Sequence, residues 1–345
     1  MSRLGRLRGA MLWGFRREAS SSVGMLLLIV LVVFSILRNS NFLTQDGMAG
    51  LLPEAAPLLL ATMAVAAVAQ AGPASIDLSI GPLMVLVNVV IVQWLVPAGL
   101  NNPVILIVLA MLIGIVFNVI MCVIISTVRI QPVIVTLSGF MVLTGLDLVI
   151  MPQQGGSVPT WLAAWGYPTG AVSPALWVLV IAILVWGVLS RTTVMRNIRL
   201  AGTNARTAYV NGIPLFWARV GAHIVGGLYA GLAGLMLTAL LASGDPTQGA
   251  PYTLYAVAAL VLGGASLKGG RVSVFGAVIG ALDIYLIGFV LQTYNFGANS
   301  GFVTELITGL VLVVALAGSG LIQFFHTRRS RGISMSREGG DYKVA

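Results

Sequence analysis

The sequence predicts an all-α integral membrane protein of about ten transmembrane helices, and three observations carry that reading. Hydrophobic residues make up 58% of the 345-residue chain and charged residues only 8%, whereas a soluble domain carries about 25% charged residues to solvate its surface. Apolar runs near the roughly 20 residues that cross a hydrocarbon core of about 30 Å recur along the whole chain. Basic residues gather in the tails and in alternate connectors, the distribution expected of segments that stay in the cytoplasm.

In order, the runs cover residues 23–37, 48–71, 76–96, 103–127, 132–151, 174–189, 215–242, 254–267, 273–292 and 302–321. The first follows Arg16 and Arg17, as a secretory signal would, but Arg38, Asn39 and Ser40 stand where a small-residue cleavage site belongs, so it reads as a membrane helix. The first, sixth and eighth are short, and the eighth reads either as a full span or as a broken, half-buried helix. With the N-terminus inside, the inside segments hold Arg3, Arg6, Arg8, Arg16, Arg17, Arg129, Arg191, Arg196, Arg199, Arg206, Lys268, Arg271 and the tail from Arg328 to Lys343. The outside loops hold only Arg38, and the longest of them, 152–173, is uncharged. Each extra or missing span would swap the sides of every later loop, so this partition supports both termini in the cytoplasm. The organisation is a basic tail over 1–22, a transmembrane domain over 23–327 and a cytoplasmic tail over 328–345.

The same charge placement sets nucleic-acid binding aside, although the net charge is +9. Cys122, the one cysteine, lies inside an apolar run and has no intrachain disulfide partner; His223 and His326 are too far apart in sequence to suggest a zinc site with it. No metal or cofactor site is expected. The chain carries no Walker A phosphate loop, so it supplies no ATP hydrolysis by that route.

A five-plus-five arrangement makes the two halves enter the membrane in opposite senses, so internal symmetry would take the form of two five-helix inverted repeats. Residues 71–81, AGPASIDLSIG, and 242–254, ASGDPTQGAPYTL, hint at one: each combines Gly, Pro, Ser and an acid after a long apolar run. The longest polar connector is 191–214, RTTVMRNIRLAGTNARTAYVNGIP. Thr203 is placed to cap a short helix within it, with Ala205, Ala208, Tyr209 and Gly212 at the spacing of one face. Such a helix suits docking into a partner's groove; the competing reading is a helix lying on lipid headgroups.

The glycine-dense turn at 263–276, GGASLKGGRVSVFG, reads as a tight cytoplasmic turn in preference to a phosphate cradle, because no P-loop serine or threonine follows Lys268. The Gly276/Gly280 and Gly227/Gly231 pairs, with Gly234, allow close helix approach. Intramembrane acids are functional candidates because burying them is expensive. Asp147 lies near an external helix end and Glu305 near the start of the last span, where water reaches both; Asp283 looks deep. Asp77 sits at a helix start, where capping competes with a functional role. Buried polar groups in lipid need a protein or water partner, which makes Asn88, Asn118, Thr136 and Ser138, with Asp77, candidates for a solute path. Hydrogen bonding between helices is the competing role for each.

The IDLSIG stretch at 76–81 with the long apolar helix after it, IQPVIVTLSGFMVLTG at 130–145, LAGTNARTAYVNGI at 200–213, and the block at 243–280 occur in the order of the family blocks. Over roughly residues 50–318 the chain resembles the ribose and xylose type of permease, the membrane subunits of monosaccharide ABC importers within the branched-chain amino acid and sugar permease superfamily. That resemblance implies a type II importer-like fold and transport of a small sugar by alternating access across a bacterial inner membrane. Two such permeases, identical or related, would form the path at their interface. An ABC ATPase pair would dock on the inside and a soluble sugar-binding protein on the outside. Asn204, Ala205, Ala208, Tyr209 and Gly212 would form the coupling helix. The sequence departs from the family at Thr253, Leu254 and Tyr255 and in the AGPAS lead into IDLS, which points to a divergent solute or to pairing with a different permease. A proton-driven secondary transporter, with Asp283 or Glu305 titrating, is the alternative. A channel-like or structural role is a third.

Overall fold

The computed structural model describes residues 21–72, 75–167, 173–265, 272–294, 301–303 and 305–310, with 313, 314 and 317 beyond. The described residues form helices α1 (Ser21–Arg38), α2 (Gln45–Ala69), α3 (Ile80–Val90, continued by a π-helical turn over Ile91–Leu95), α4 (Pro103–Val128), α5 (Pro132–Ile150), α6 (Thr160–Gly166), α7 (Pro174–Arg191), α8 (Thr193–Thr203), α9 (Ala205–Val210), α10 (Leu215–Leu241), α11 (Gly249–Leu262) and α12 (Val274–Gln292). A further helical stretch covers Gly301–Leu310. The predicted basic tails, Lys268, Arg271 and His326 lie outside the described residues.

Six of the described helices are long and apolar enough to cross a membrane, and four shorter apolar helices accompany them. Proline at N1 starts α4, α5 and α7, where its missing N–H would have had no helical partner. Asn102 caps α4 by accepting from Val104 N and Ile105 N. Helix α2 runs through Pro53 and Pro57 without breaking.

Two helices form the centre of the bundle. Most of α2 and α10 is buried inside the protein, whereas most of α4, α5 and α7 faces outward. Small residues set the close contacts of α10. A Cβ at Gly227 would strike the backbone of Gly114, and one at Gly231 that of Ala110, both on α4. Gly234 lies against Met84 and Val87 of α3 in the same way. The Gly227 and Gly231 pair is thus a seam where backbones touch, as expected of small residues between membrane helices. Gly276 and Gly280 play that part between α12 and α11, against Gly263 and Ala259. Tyr229, fully buried on α10, donates to Ala182 O of α7 at 2.7 Å and so ties a peripheral helix to the centre.

The third and eighth runs differ from their sequence boundaries. Residues 76–79 are not helical, and α3 starts at Ile80. The eighth element is α11, shifted to Gly249–Leu262 and 14 residues long. At 1.5 Å per residue it reaches about 21 Å, short of the roughly 30 Å core. Both starts are displaced by chain breaks rich in Gly, Pro, Ser and Asp, where side chains offer the backbone alternatives to helical bonding.

Candidate functional site

The two breaks have the same local chemistry. In the first, Asp77 Oδ1 accepts from Ser79 N at 2.9 Å and from Ser79 Oγ at 2.5 Å. In the second, Asp245 Oδ1 accepts from Thr247 N at 2.9 Å and from Thr247 Oγ1 at 2.6 Å. Each aspartate folds the chain back on itself two residues on and leads into a short helix, α3 or α11. The two helix starts then meet: a Cβ on Gly81 would collide with Gly249 O, and one on Gly249 would press on Pro82. Thr253 of α11 accepts from Gly81 N at 3.0 Å and donates to Leu78 O at 3.2 Å, closing the crossing.

Irregular backbone in an apolar interior is tolerated only where its polar groups find partners, and the predicted path residues supply several. Asn88 reaches the second break with three bonds, from Nδ2 to Thr238 Oγ1 (3.1 Å) and Ser243 O (2.9 Å) and from Asp245 N to Oδ1 (2.9 Å). Thr136 donates to Ile76 O at 3.1 Å in the first break. Gly155, in the long uncharged loop between α5 and α7, pairs with Gly244 through N–H···O bonds of 3.0 and 2.8 Å in the two directions, laying that loop over the second break. Asn88 and Thr136 therefore pin backbone. Ser138 bonds to Ile134 O in its own helix and is exposed on the outer face of α5, away from the crossing.

The two breaks differ in how completely they are satisfied. Asp245 uses both oxygens, the second accepting from Gln248 Nε2 at 3.0 Å. Asp77 Oδ2, both amide atoms of Asn118 and Nε2 of His223 are buried without a hydrogen-bond partner. These three residues form one group: after the Ser79 bonds, the His223 ring and the Asn118 amide are the neighbours of the Asp77 carboxylate, the amide directed at it without closing a bond of ordinary geometry. Asp77 does hold the approach to α3, as the capping reading expected, but Ser79 occupies the cap position. Asp147 is a correction: it lies 1% exposed and both its oxygens lack partners. Its position follows Val135, Thr136, Gly139 and Leu143 along the buried face of α5. Asp283 is fully buried and likewise unpartnered, and Glu305 is exposed.

The polar connector is two helices. Thr192 caps α8 by accepting from Met195 N, and Met195, Ile198, Ala201 and Gly202 turn inward. The chain breaks at Asn204, whose Oδ1 accepts from Thr207 N at 3.0 Å to start α9, so Asn204 and not Thr203 is the cap. Helix α9 ends after Val210 in a Schellman arrangement: Ile213 N reaches Ala208 O, Gly212 N reaches Tyr209 O, and Gly212 takes φ +76°. Gly212 is thus a turn residue and not part of a helical face. The expected stripe also divides, because adjacent helical positions point about 100° apart: Ala208 is buried while Tyr209 is 72% exposed, with Ala205 half-buried. Tyr209 and Val210 leave an apolar tip outside the bundle, with Arg206 beside them.

One long-range bond joins this connector to the broken-helix region. Arg199 Nε of α8 donates to Gln70 Oε1, the cap of α2, at 3.1 Å, and the first break begins directly after Gln70. Sequence reasoning missed Gln70 and Thr238, took Arg199 only as a marker of the inside face, and noted the acid at 245 without its turn. The matching Asp-x-Ser and Asp-x-Thr spacing, each followed by Gly and Pro, was the signal that could have found the turn at Asp245.

Comparison with known proteins identifies the family. Residues 47–316 match the family model described as branched-chain amino acid transport system / permease component. The chain is 31% identical over 308 residues to the ribose import permease protein of Bacillus subtilis (strain 168), covering 88% of this chain and 92% of that one. It is 30% identical over 303 residues to the ribose import permease protein of Escherichia coli (strain K12), covering 85% and 91%. The D-allose transport system permease protein of the same strain is 27% identical over 301 residues, covering 86% and 90%. No solved structure matches the chain. With the family model spanning most of its length and the multi-pass helical bundle it folds into, the chain belongs to the branched-chain amino acid transport system / permease component family.

Proposed function

We propose that the chain is the membrane subunit of an ABC importer that carries a small sugar or sugar-like solute across a bacterial inner membrane, driven by a partner ATPase. Relatives whose names specify ribose and allose, about 30% and 27% identical over most of their length, support the solute class. The observation that carries the mechanism is the Arg199–Gln70 bond. It makes the connector at 191–214 and the first break one mechanical unit, so a push on the exposed Tyr209 and Val210 tip reaches the crossing of α3 and α11. The ATPase docks at that tip, a soluble sugar-binding protein delivers solute at the opposite end, and a second permease copy or paralogue faces the outward-turned apolar surface of α5. Alternating access then amounts to rocking of the two halves about the Gly81–Gly249 contact.

In this reading the four shorter helices complete their crossings through irregular segments, which gives ten spans with both termini cytoplasmic. The two aspartate turns mark an inverted repeat, with α2 and α3 corresponding to α10 and α11. Of the path candidates, Asp77 and Asn118 are buried beside each other with polar atoms that pin no backbone, and would serve the path once the crossing opens, whereas Asn88, Thr136 and Ser138 are structural.

Uptake into proteoliposomes is the test. Ribose accumulation that requires the ATPase, the binding protein and ATP is expected. Accumulation driven by an imposed proton gradient with neither partner present would instead favour a proton-coupled transporter, the reading that the unpartnered Asp283 carboxylate favours.

A further inference from the structure

A cavity of about 270 Å³ opens beside the first break, between the ends of α2 and α4 and the first turns of α10. Its wall includes Ser75, Ser126, Cys122, Arg129, Arg219 and His223, and among the described residues no carboxylate. Neither guanidinium closes an ion pair or hydrogen bond among the described residues. His223 is 3% exposed; its Nδ1 contacts Arg219 O at 3.0 Å while its Nε2 has no partner. Arg219 acts electrostatically on both Cys122 and His223, so its charge is held at the cavity. Asp77, the carboxylate that acts on the ring, is fully buried and is not part of the wall. Arg129 adds a separate observation. It ends α4 at φ +59°, a left-handed conformation that glycine would adopt without strain, and yet the position carries a guanidinium.

We infer that this cavity is a binding site for a phosphate group, gripped by Arg129 and Arg219 with Ser75 and Ser126 as further hydrogen-bonding groups. Paired guanidinium groups match phosphate oxygens with several charge-assisted bonds. Basic pockets between helices near a membrane surface take up lipid headgroups in this way. The phosphate can arrive on an anionic lipid or free from solution; the chemistry recognised is the same. The site abuts Gln70 through Ala71 and Gly72, so its occupancy bears on the segment that Arg199 holds. The inference requires neither the ATPase nor a particular transported solute.

The test is thermal unfolding of the purified full-length chain in neutral detergent, followed by tryptophan fluorescence. The additions are inorganic phosphate against chloride at matched ionic strength, and phosphatidylglycerol against phosphatidylcholine. A selective rise in Tm of about 2–5 °C is expected, as for any ligand that binds only the folded state. A rise with phosphatidylglycerol alone assigns the site to a headgroup; a rise with inorganic phosphate as well assigns it to phosphate delivered from solution. Arg219→Gln should abolish the rise. Arg129→Gly guards against simple misfolding, since it relieves the left-handed strain: its Tm without additives should equal or exceed that of the parent, with the response lost. Arg191→Gln, a substitution outside the cavity, should keep the response. No selective rise in the parent chain, or a full rise that survives in either Arg219→Gln or Arg129→Gly, overturns the inference.

Discussion

Asn88 and Ser138 show how differently two polar side chains on membrane helices can act. Asn88 is fully buried and serves both a neighbouring side chain and the backbone of the second break. Replacing it with alanine leaves Asp245 N and Ser243 O without that partner, and each orphaned group costs about 1–3 kcal/mol. Asn88→Ala is therefore expected to lower stability by about 2–4 kcal/mol, read as reduced Tm and reduced yield of folded protein in detergent. Ser138→Ala removes only a bond within its own helix at an exposed position and should change stability by less than about 0.5 kcal/mol. Equal effects of the two substitutions would contradict the assignment of Asn88 as a pin. Gly212 is set by conformation instead of contact, because nothing lies within 4 Å of a Cβ there and its φ is +76°. Gly212→Ala should cost about 1–2 kcal/mol of left-handed strain. Limited proteolysis should detect this as easier cleavage around residues 203–213.

At the scale of elements, the long apolar helices were legible because composition and run length decide them. Helices α4, α5, α10 and α12 begin and end within a few residues of the runs read from sequence. The breaks were legible as composition and not as geometry. A Gly, Pro and Asp mixture marks a place where a helix stops, but nothing local says that Gly81 and Gly249, far apart in the chain, press together. That contact depends on α2 and α10 first packing at the centre. The connector was misread for a related reason. Helical spacing from Ala205 to Gly212 assumed one continuous helix, while the caps at Asn204 and Gly212 end the helical geometry early. Asp147 was taken for a water-exposed acid from its place near a helix end, whereas burial depends on the face it occupies. The crossing makes its own prediction. Gly81→Ala puts a methyl group into the Gly249 carbonyl and should abolish accumulation of folded protein. Gly145→Ala, where nothing lies within 4 Å, should leave expression and Tm unchanged or slightly improved; equal tolerance at both positions, judged by size-exclusion profiles, would refute the close crossing.

For the whole molecule, the arrangement is a rigid centre with an attached lever. Helix α10 is held against α4 by a backbone-to-backbone seam, the two breaks by side-chain pins, and the connector by Arg199. Arg199→Ala removes the lever's bond to Gln70 without disturbing the inward face of α8, which rests on Met195, Ile198 and Ala201. It should leave docking of the ATPase intact while reducing ATP-dependent uptake by about tenfold, the loss expected when about 1.4 kcal/mol of coupling disappears. Tyr209→Asp should do the opposite and prevent co-purification of the ATPase. Uptake that falls in neither variant would separate the connector from transport.

The most direct measurement is the side of the membrane on which the connector lies. Arg206→Cys in a Cys122→Ser background puts the single thiol on the exposed part of α9. A membrane-impermeant maleimide should label it in inverted vesicles and not in right-side-out ones, and added ATPase should protect it. Labelling from the exterior would contradict the account.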